Sequence, residues 1–268
     1  MGRLQFSHGL NIVITTTFVS LLAMPIVGPA LPVVQEKFGI SNRDIGWVVM
    51  SAYTLPALIF VPIFGYLADR FSKKAVLLPT MILFSLCGGA ISLAPNTETI
   101  IALRFLQGIG ASAIATLNIA LVPDLFSGRD RLTVMGWTGV VQGIGSGVLP
   151  LIGGLLAFLI WYLPFMAALM GLPVSLYIYF YLKNIPPPKK TKKTNYAAHA
   201  WKHLADRRVV ELCFFTFGYI FVGFGAFVSY IPSFLASTYG SGPLLIGLII
   251  AARALSGALT ASFLNQLT

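Results

Sequence analysis

A short charged segment at residues 65–74 carries the residue types most able to form and break ion pairs. It reads Gly-Tyr-Leu-Ala-Asp-Arg-Phe-Ser-Lys-Lys and lies between two long apolar stretches. An acid at a helix end can cap the exposed amides of a neighbouring helix, and an arginine can bind a carboxylate through two parallel hydrogen bonds. We therefore expect Asp69 to cap a helix and Arg70 to bind Asp124, with interfacial charges that only mark helix ends as the alternative.

Two arginines lie inside apolar stretches, where a charge is costly and usually faces a cavity or a partner. Arg104 lies roughly 8 Å into its stretch at 1.5 Å per residue, and we expect it to face a cavity rather than extend toward the outer interface. For Arg253, binding of an anionic substrate and pairing with a carboxylate both stay open, with lipid exposure a weaker third. Further candidates for a central cavity are Tyr53, Gln107, Asn118 and Gln142, unless they only hydrogen-bond neighbouring helices.

The sequence contains no combination of residues typical of a catalytic or metal-binding site. The histidines, His8, His199 and His203, lack ligand spacing with cysteines or acids, and no Walker-type glycine loop is present. Cys87 and Cys213 occupy separate apolar stretches, which indicates packing thiols and no disulfide. We therefore expect no enzyme, no cofactor and no metal, and an energy source other than ATP.

The elements that position these residues must be membrane helices. Hydrophobic residues make up 57% and charged residues 10% of the 268, and mean hydropathy is +0.84, which excludes an ordinary water-soluble globule. A spanning helix needs about 20 mostly apolar residues, and no alternating strand pattern is present. The sequence predicts eight spans, at residues 10–34, 45–68, 75–95, 99–123, 132–157, 161–182, 209–236 and 243–265.

Lysine and arginine are distributed unevenly among the predicted loops. Of the 18, only Lys37 and Arg43 fall in loops on the side opposite the N-terminus, and Arg104 and Arg253 lie within spans. Positive residues are retained on the cytoplasmic side during insertion, so we expect a cytoplasmic N-terminus in an inner or plasma membrane. The net charge of +10 then follows from topology and does not indicate nucleic-acid binding.

The chain changes character between residues 183 and 208, where three consecutive prolines precede a run of lysines. We interpret this segment as a solvated basic cytoplasmic linker that attracts anionic headgroups, with a specific lipid or partner site as the weaker alternative.

The segments on either side of the linker repeat one another. Leu31-Pro32 and Ile45-Gly46 recur as Ile231-Pro232 and Ile246-Gly247, about 200 residues later. The sequence therefore predicts three parts: an N-terminal six-helix transmembrane bundle at 1–182, the basic linker at 183–208, and the first two helices of a C-terminal transmembrane bundle at 209–268.

Two motifs in register resemble signatures of the major facilitator superfamily. Residues 65–74 are similar to its loop signature Gly-x-Leu-Ala-Asp-Arg-x-Gly-Arg-Lys, with Ser72 and Lys73 in place of the glycine and the arginine. Residues 104–111, Arg-Phe-Leu-Gln-Gly-Ile-Gly-Ala, are similar to its Arg-Phe-x-Gln-Gly-x-Gly-Ala in the fourth span. The resemblance covers essentially the whole chain. It implies the superfamily's all-α transporter fold, with a complete first bundle and two helices of the second.

The resemblance also implies roles for particular residues. It implies a conformational latch on the cytoplasmic side, made by Gly65, Asp69, Arg70, Lys73, Lys74 and Asp124. The family's arginine that matches Arg104 is linked to proton coupling, often through a nearby carboxylate. A partial match to the family's antiporter signature lies in the fifth span, at Gly139, Gly143, Gly147, Pro150, Gly153 and Gly154. Glycines spaced by four also allow helices to approach closely, which is the simpler interpretation.

We expect a secondary transporter that moves small organic molecules by alternating access, most like the superfamily's proton-coupled multidrug efflux members. A metabolite symporter or importer and a non-transporting truncated fragment are the alternatives, and a scaffold role is the weakest. Spans one, two, three, five and six hold no acid in their interiors, so a titratable site must use an acid at a helix end or in absent helices. We expect a lipid bilayer, a small-molecule substrate and protons as partners, a second half of which this sequence holds only a part, and a monomer at full length.

Overall fold

Helices account for all regular secondary structure in the part of the chain that the structure describes. The computed structural model describes residues 3–41, 44–184, 207–220 and 230–264 of the 268. The α-helices are α1 (Arg3–Leu21), α2 (Leu31–Phe38), α3 (Ala52–Arg70), α4 (Lys73–Ala90), α5 (Thr97–Leu125), α6 (Gly128–Leu159), α7 (Leu163–Met166), α8 (Gly171–Tyr181), α9 (Arg207–Ile220), α10 (Ile231–Tyr239) and α11 (Pro243–Leu264). Short 3-10 helices at Gly28–Ala30, Ile91–Leu93 and Ala167–Met170 and a π-helical turn at Gly46–Ser51 connect or extend them. The all-α prediction is confirmed.

The first predicted span, residues 10–34, is broken into two helices. α1 ends at Leu21 and α2 begins only at Leu31, with turns and a 3-10 helix between them. The prediction of one continuous helix is wrong because Pro25 and Pro29 lack the amide N–H that a helix interior requires. Pro29 lies instead in the first turn of the 3-10 helix, where a missing N–H costs little.

Five segments of the described chain are long and apolar enough to cross a membrane, and they correspond to predicted spans two to six. They are Val48–Arg70, Lys73–Leu93, Thr97–Leu125, Gly128–Leu159 and Leu163–Tyr181. A shorter apolar helix at Phe6–Leu21 overlaps predicted span one, and another at Pro243–Arg253 lies within predicted span eight. Most of the predicted linker and the middle of predicted span seven lie outside the described residues, so the three-part division stays a prediction.

Large apolar side chains cover the outside of the helical bundle. Ile119 on α5, Leu132 and Phe158 on α6, and Phe180 on α8 are all strongly exposed. A contiguous apolar surface of this kind is unfavourable in water and suits contact with lipid chains. The belt agrees with the predicted bilayer environment of a multi-pass membrane protein.

Helix α5 packs closely against both α3 and α4 through two glycines. A Cβ atom at Gly108 would overlap the carbonyl oxygen of Tyr53 on α3. One at Gly110 would lie 2.6 Å from the carbonyl oxygen of Thr80 on α4. Only glycine permits such an approach of backbones, so these contacts set the register of α5 against the helices that flank residues 65–74.

The predicted sequence repeat has a local structural counterpart in α2 and α10. Each helix carries a proline near its start, Pro32 or Pro232, and each ends at a glycine with φ of +63°, Gly39 or Gly240. Because glycine adopts this left-handed conformation without strain, both helices end at the same point of the repeated motif. The two copies also contact each other and line a common cleft.

Candidate functional site

An ion pair joins the loop between α3 and α4 to the far end of α5. Lys73, the first residue of α4, forms a salt bridge and hydrogen bond through Nζ with Oδ2 of Asp124, next to the last residue of α5. The side chain of Lys73 is 9% exposed and that of Asp124 is 27% exposed. A pair this deep is held more strongly than a surface pair, because water screens it less.

The expectation that Arg70 binds Asp124 is therefore wrong for this structure. The guanidinium of Arg70 lies 4.4 Å from the ring centroid of Tyr66, one turn back on α3, in a cation–π contact. Both α3 and α4 pack along α5, but it is the first residue of α4, not the last residue of α3, that reaches the carboxylate. The register of α4 on α5 thus selects Lys73 as the partner.

The cap of α4 also differs from the prediction. Ser72, in an extended conformation, accepts a hydrogen bond at its hydroxyl from the backbone N–H of Ala75 at 3.3 Å. This is an ordinary serine N-cap, so the expected cap by Asp69 is wrong: Asp69 lies in the last turn of α3 and is exposed. Gly65 has open space where a Cβ would lie, so packing does not require glycine there.

Lys74 ties the same loop to α8. Its Nζ donates a 2.6 Å hydrogen bond to the carbonyl oxygen of Tyr179 and lies 5.2 Å from the centroid of that ring. Together Lys73 and Lys74 connect the start of α4 to the ends of α5 and α8. The predicted latch residues Lys73, Lys74 and Asp124 thus meet in one place, whereas Asp69 and Arg70 stay on its exposed side.

Arg104 is fully enclosed by the first bundle. Its side chain has no exposed surface, and its Nη1 donates to the carbonyl oxygen of Ala23 at 3.1 Å and to Oε1 of Gln107 at 3.0 Å. The guanidinium carbon lies 4.8 Å from the ring centroid of Phe165 and 5.6 Å from that of Tyr53. Arg104 therefore neither faces an open cavity, as we expected, nor extends to the outer interface, which was the alternative.

The contacts of Arg104 explain how the bundle accommodates a buried cation. Ala23 lies in the break between α1 and α2, where its carbonyl oxygen is available to a side chain outside a continuous helix. The aromatic faces add cation–π attraction, which strengthens when the cation is desolvated. Among the described residues, the partners of Arg104 include no carboxylate, and its Nε and Nη2 have no hydrogen-bond partner.

The other predicted cavity residues divide into two groups. Tyr53 and Gln107 contact the Arg104 side chain directly. Asn118 instead bridges α5 to α1, accepting a hydrogen bond from Thr16 at 2.9 Å and donating one to Thr17 at 2.7 Å. It lies about 21 Å from Arg104 along the helix at 1.5 Å per residue, too far to share one site.

Gln142 and Arg253 lie apart from the enclosed arginine site. Gln142 is exposed on α6, and Arg253 is half-buried on α11, where its carbonyl oxygen accepts a hydrogen bond from Ser256. Neither has a described contact with Arg104. Within the described residues these polar side chains do not form one cluster, and their place in a central cavity stays a prediction.

The glycine motif of α6 packs closely only toward its end. Gly139 and Gly143 have nothing within 4 Å of a Cβ position, although Gly147 is buried. A Cβ at Gly154 would lie 2.5 Å from the carbonyl oxygen of Pro243, and one at Gly153 would overlap the backbone of Ile26. Gly139 and Gly143 of the predicted stripe are therefore not part of a close-packed face.

The end of α6 joins the two repeated halves. Pro150 is buried there, and its carbonyl oxygen would lie 2.5 Å from a Cβ at Gly247 on α11. Reciprocal glycine contacts at Gly154 and Gly247 bring the backbones of α6 and α11 together, which side chains of ordinary size would prevent.

Several site residues escaped the sequence-based predictions. Ser72 stood in the motif only as a departure from glycine, and Ala23 and Phe165 carry no chemical signal of their own. The signal for Ala23 was indirect: Pro25 breaks the helix and makes nearby carbonyl groups available.

Helices of spanning length, an apolar outer belt, repeated helix ends and a buried arginine define a multi-pass α-helical membrane protein of transporter type. The model of the family described as Major Facilitator Superfamily matches residues 13–268. The chain belongs to this superfamily of transporters.

Several transporters are about one third identical to this chain over the aligned residues. The Bacillibactin exporter of Bacillus subtilis (strain 168) is 34% identical over 145 residues, covering 51% of this chain and 36% of its own length. The MFS-type efflux pump LUC4 of Fusarium sp is 32% identical over 189 residues, covering 69% of this chain and 33% of its own. Multidrug transporter protein MdtP of Bacillus subtilis (strain 168) is 34% identical over 142 residues, covering 53% of this chain and 26% of its own length. The chain thus spans about a third or less of the length of these relatives.

A solved structure shares the fold over the whole chain. It is the crystal structure of a bacterial homolog of the human lysosomal transporter Spinster, in an inward-facing and unoccupied conformation. The TM-score is 0.81 at 16% sequence identity, and the match covers 100% of this chain and 64% of that one. The fold prediction of a six-helix bundle followed by the start of a second is confirmed.

Proposed function

We propose that the chain forms part of a secondary active transporter that exports small organic molecules by alternating access, in exchange for protons. The superfamily supports transport, and relatives named as an exporter, an efflux pump and a multidrug transporter support the outward direction and organic cargo. We further propose that the membrane is the inner or plasma membrane and that the N-terminus is cytoplasmic, because lysine and arginine concentrate on that side.

The observation that carries the proposal is the contact between the repeated halves at one end of the molecule. There α6 approaches α11 through Gly154 and Gly247 at backbone distance. α9, which follows the predicted cytoplasmic linker, instead exposes large apolar side chains such as Phe214 and Phe215. A closed contact at one end is one of the two states that rocking of paired bundles requires.

We assign the latch to Lys73 and Asp124, with Lys74 as its anchor on α8. The ion pair holds the loop between α3 and α4 against the end of α5. An ion pair that forms in one state and breaks in the other biases the equilibrium between them. Asp69 and Arg70 are exposed beside the pair and are free to engage groups of the second bundle in the opposite state.

Proton coupling is the part of the proposal that rests on the family alone. Within the described spans, no acid occupies a helix interior, so the candidates are acids at helix ends, above all Asp69 and Asp124. Arg104 is proposed to act on coupling by holding α3, α5 and the break between α1 and α2 together through Tyr53, Gln107 and Ala23.

The test is flux in liposomes, with the protein produced from its natural gene. With an acidic lumen, antiport predicts that ethidium accumulates inside and leaves again when a protonophore is added, whichever way the protein is inserted. Asp124→Asn should abolish this accumulation, whereas Asp130→Asn, at an exposed acid in the first turn of α6, should not. Absence of gradient-dependent accumulation in the wild type would refute efflux, and accumulation driven by an alkaline lumen would indicate symport.

A further inference from the structure

A polar cleft lies between α2 and α10, at the opposite end of α3 from the Lys73–Asp124 pair. Its volume is about 440 Å³, within the usual range for small-molecule sites. The polar lining comes from Gln35 and Glu36 of α2 and from Ser233 and Ser237 of α10, and the apolar lining includes Pro32 and Ile40. The two repeated halves therefore each contribute one wall.

One hydroxyl in this cleft is buried without a hydrogen-bond partner. Ser233 is 3% exposed, and no described group donates to or accepts from its Oγ. Buried hydroxyl groups in native proteins nearly always have a partner, so a buried orphan in a cleft indicates a group supplied from outside. Ser237 already donates to the carbonyl oxygen of Phe234 at 3.3 Å, which leaves its oxygen able to accept.

Among the described residues that line the cleft, the carboxylate of Glu36 carries the only charge. Glu36 is exposed on its wall, and the neighbouring cation, Lys37, is turned away onto Trp161, with Nζ 5.0 Å from a ring centroid. The N-terminal end of α10 adds a partial positive charge of about half a unit, which the full charge of a carboxylate outweighs. A cation is thus favoured over an anion in this place.

We propose that this cleft binds the protonated amine group of an organic cation. An ammonium group has three N–H donors and no acceptor, and the cleft offers the Glu36 carboxylate and the hydroxyl oxygens of Ser233 and Ser237 as acceptors. Pro32 and Ile40 give the apolar body of the ligand a surface. A role of this site in transport rests on the proposed export function, but the binding of an amine to the site does not.

The test is the affinity for 4-fluorobenzylamine, measured by fluorine NMR on the detergent-solubilised protein produced from its natural gene. Glu36→Gln should weaken binding on the order of tenfold, because it removes a charge-assisted hydrogen bond. The matched control is Glu98→Gln, at an exposed glutamate in the first turn of α5, and it should leave the affinity unchanged. The uncharged 4-fluorobenzyl alcohol should bind the wild type on the order of tenfold more weakly than the amine.

Ser233→Ala separates a binding role from a structural one. Because it removes a buried hydroxyl without a partner, it should raise the thermal stability of the ligand-free protein while it weakens amine binding severalfold. Loss of stability together with unchanged affinity would overturn the proposal. So would equal binding of amine and alcohol, or wild-type affinity in Glu36→Gln.

The same variants distinguish this proposal from the export function. Amine binding that depends on Glu36, without any gradient-driven flux, would support the site and refute export. Flux of ethidium with no amine binding at Glu36 would support export and refute the site.

Discussion

Breaking the ion pair between Lys73 and Asp124 should destabilise the fold far more than breaking the other described ion pair. Substitution Lys73→Met leaves a carboxylate with 27% exposure and no cation beside it. A fully buried pair that loses one partner costs about 3–5 kcal/mol, and an exposed pair contributes about 0.2–1 kcal/mol. Because Asp124 keeps partial contact with solvent, we expect a loss of about 1–3 kcal/mol in the free energy of unfolding.

A double-mutant cycle isolates the energy of the pair. Lys73→Met, Asp124→Asn and their combination are compared by unfolding in mixed micelles with increasing SDS, and the coupling energy should be about 1–2 kcal/mol. The internal control is the pair Arg207–Glu211 on α9, with side chains 91% and 53% exposed. Its coupling energy should be about 0.3–0.5 kcal/mol, the usual value for an exposed pair one turn apart.

The assignment of Lys73 rather than Arg70 to Asp124 has its own control. Arg70→Met loses only an exposed cation–π contact with Tyr66, so it should cost about 0.5–1 kcal/mol. Coupling of Asp124 to Arg70 that equals or exceeds its coupling to Lys73 would refute the reasoning.

Three further outcomes follow from local contacts. Ser72→Ala should cost about 1 kcal/mol by removing the cap of α4. Asp69→Asn should leave stability within about 0.5 kcal/mol yet lower flux, and intact flux would argue against the proposed role of Asp69 in the opposite state. Gly108→Val should prevent correct folding, seen as loss of a monodisperse species in detergent, because its Cβ overlaps the carbonyl oxygen of Tyr53. Gly153→Ala should lower the thermal unfolding temperature, and Gly143→Ala should not, since only the former meets backbone; equal effects would contradict the packing of α6.

Much of the fold could be predicted because a bilayer imposes strong constraints on length and polarity. Helices of sufficient apolar length occur where spans two to six were predicted. The break between Leu21 and Leu31 was harder to predict, since prolines are tolerated in membrane helices when neighbours satisfy the freed backbone groups. Whether a proline breaks a membrane helix depends on how neighbouring helices pack, which residue types alone do not show.

The sites were less predictable, because ion-pair partners depend on helix register. Residue types made Arg70 and Lys73 equally able to bind Asp124, and only their places at the end of α3 and the start of α4 distinguish them. Depth in the membrane marked Arg104 as unusual, but its partner from the break between α1 and α2 is a backbone carbonyl, at Ala23. A backbone acceptor leaves no trace in the sequence beyond the prolines that free it.

The cleft between α2 and α10 was missed for a related reason. Each wall comes from a different copy of the repeat, and neither copy alone contains an unusual cluster of residues. The repeat predicted that the two helix ends are alike, as their glycine caps at Gly39 and Gly240 are. It did not predict that they face each other.

Flux through protein that is crosslinked across the cleft tests alternating access most directly. Gln35→Cys on α2 and Ser237→Cys on α10, in a Cys213→Ser background, place one thiol on each wall for a short bifunctional methanethiosulfonate. Alternating access predicts that crosslinking reduces gradient-driven ethidium flux to background and that dithiothreitol restores it, while either single-cysteine variant treated in the same way still transports. Undiminished flux in fully crosslinked protein would contradict the proposal that the two halves separate at this end during transport.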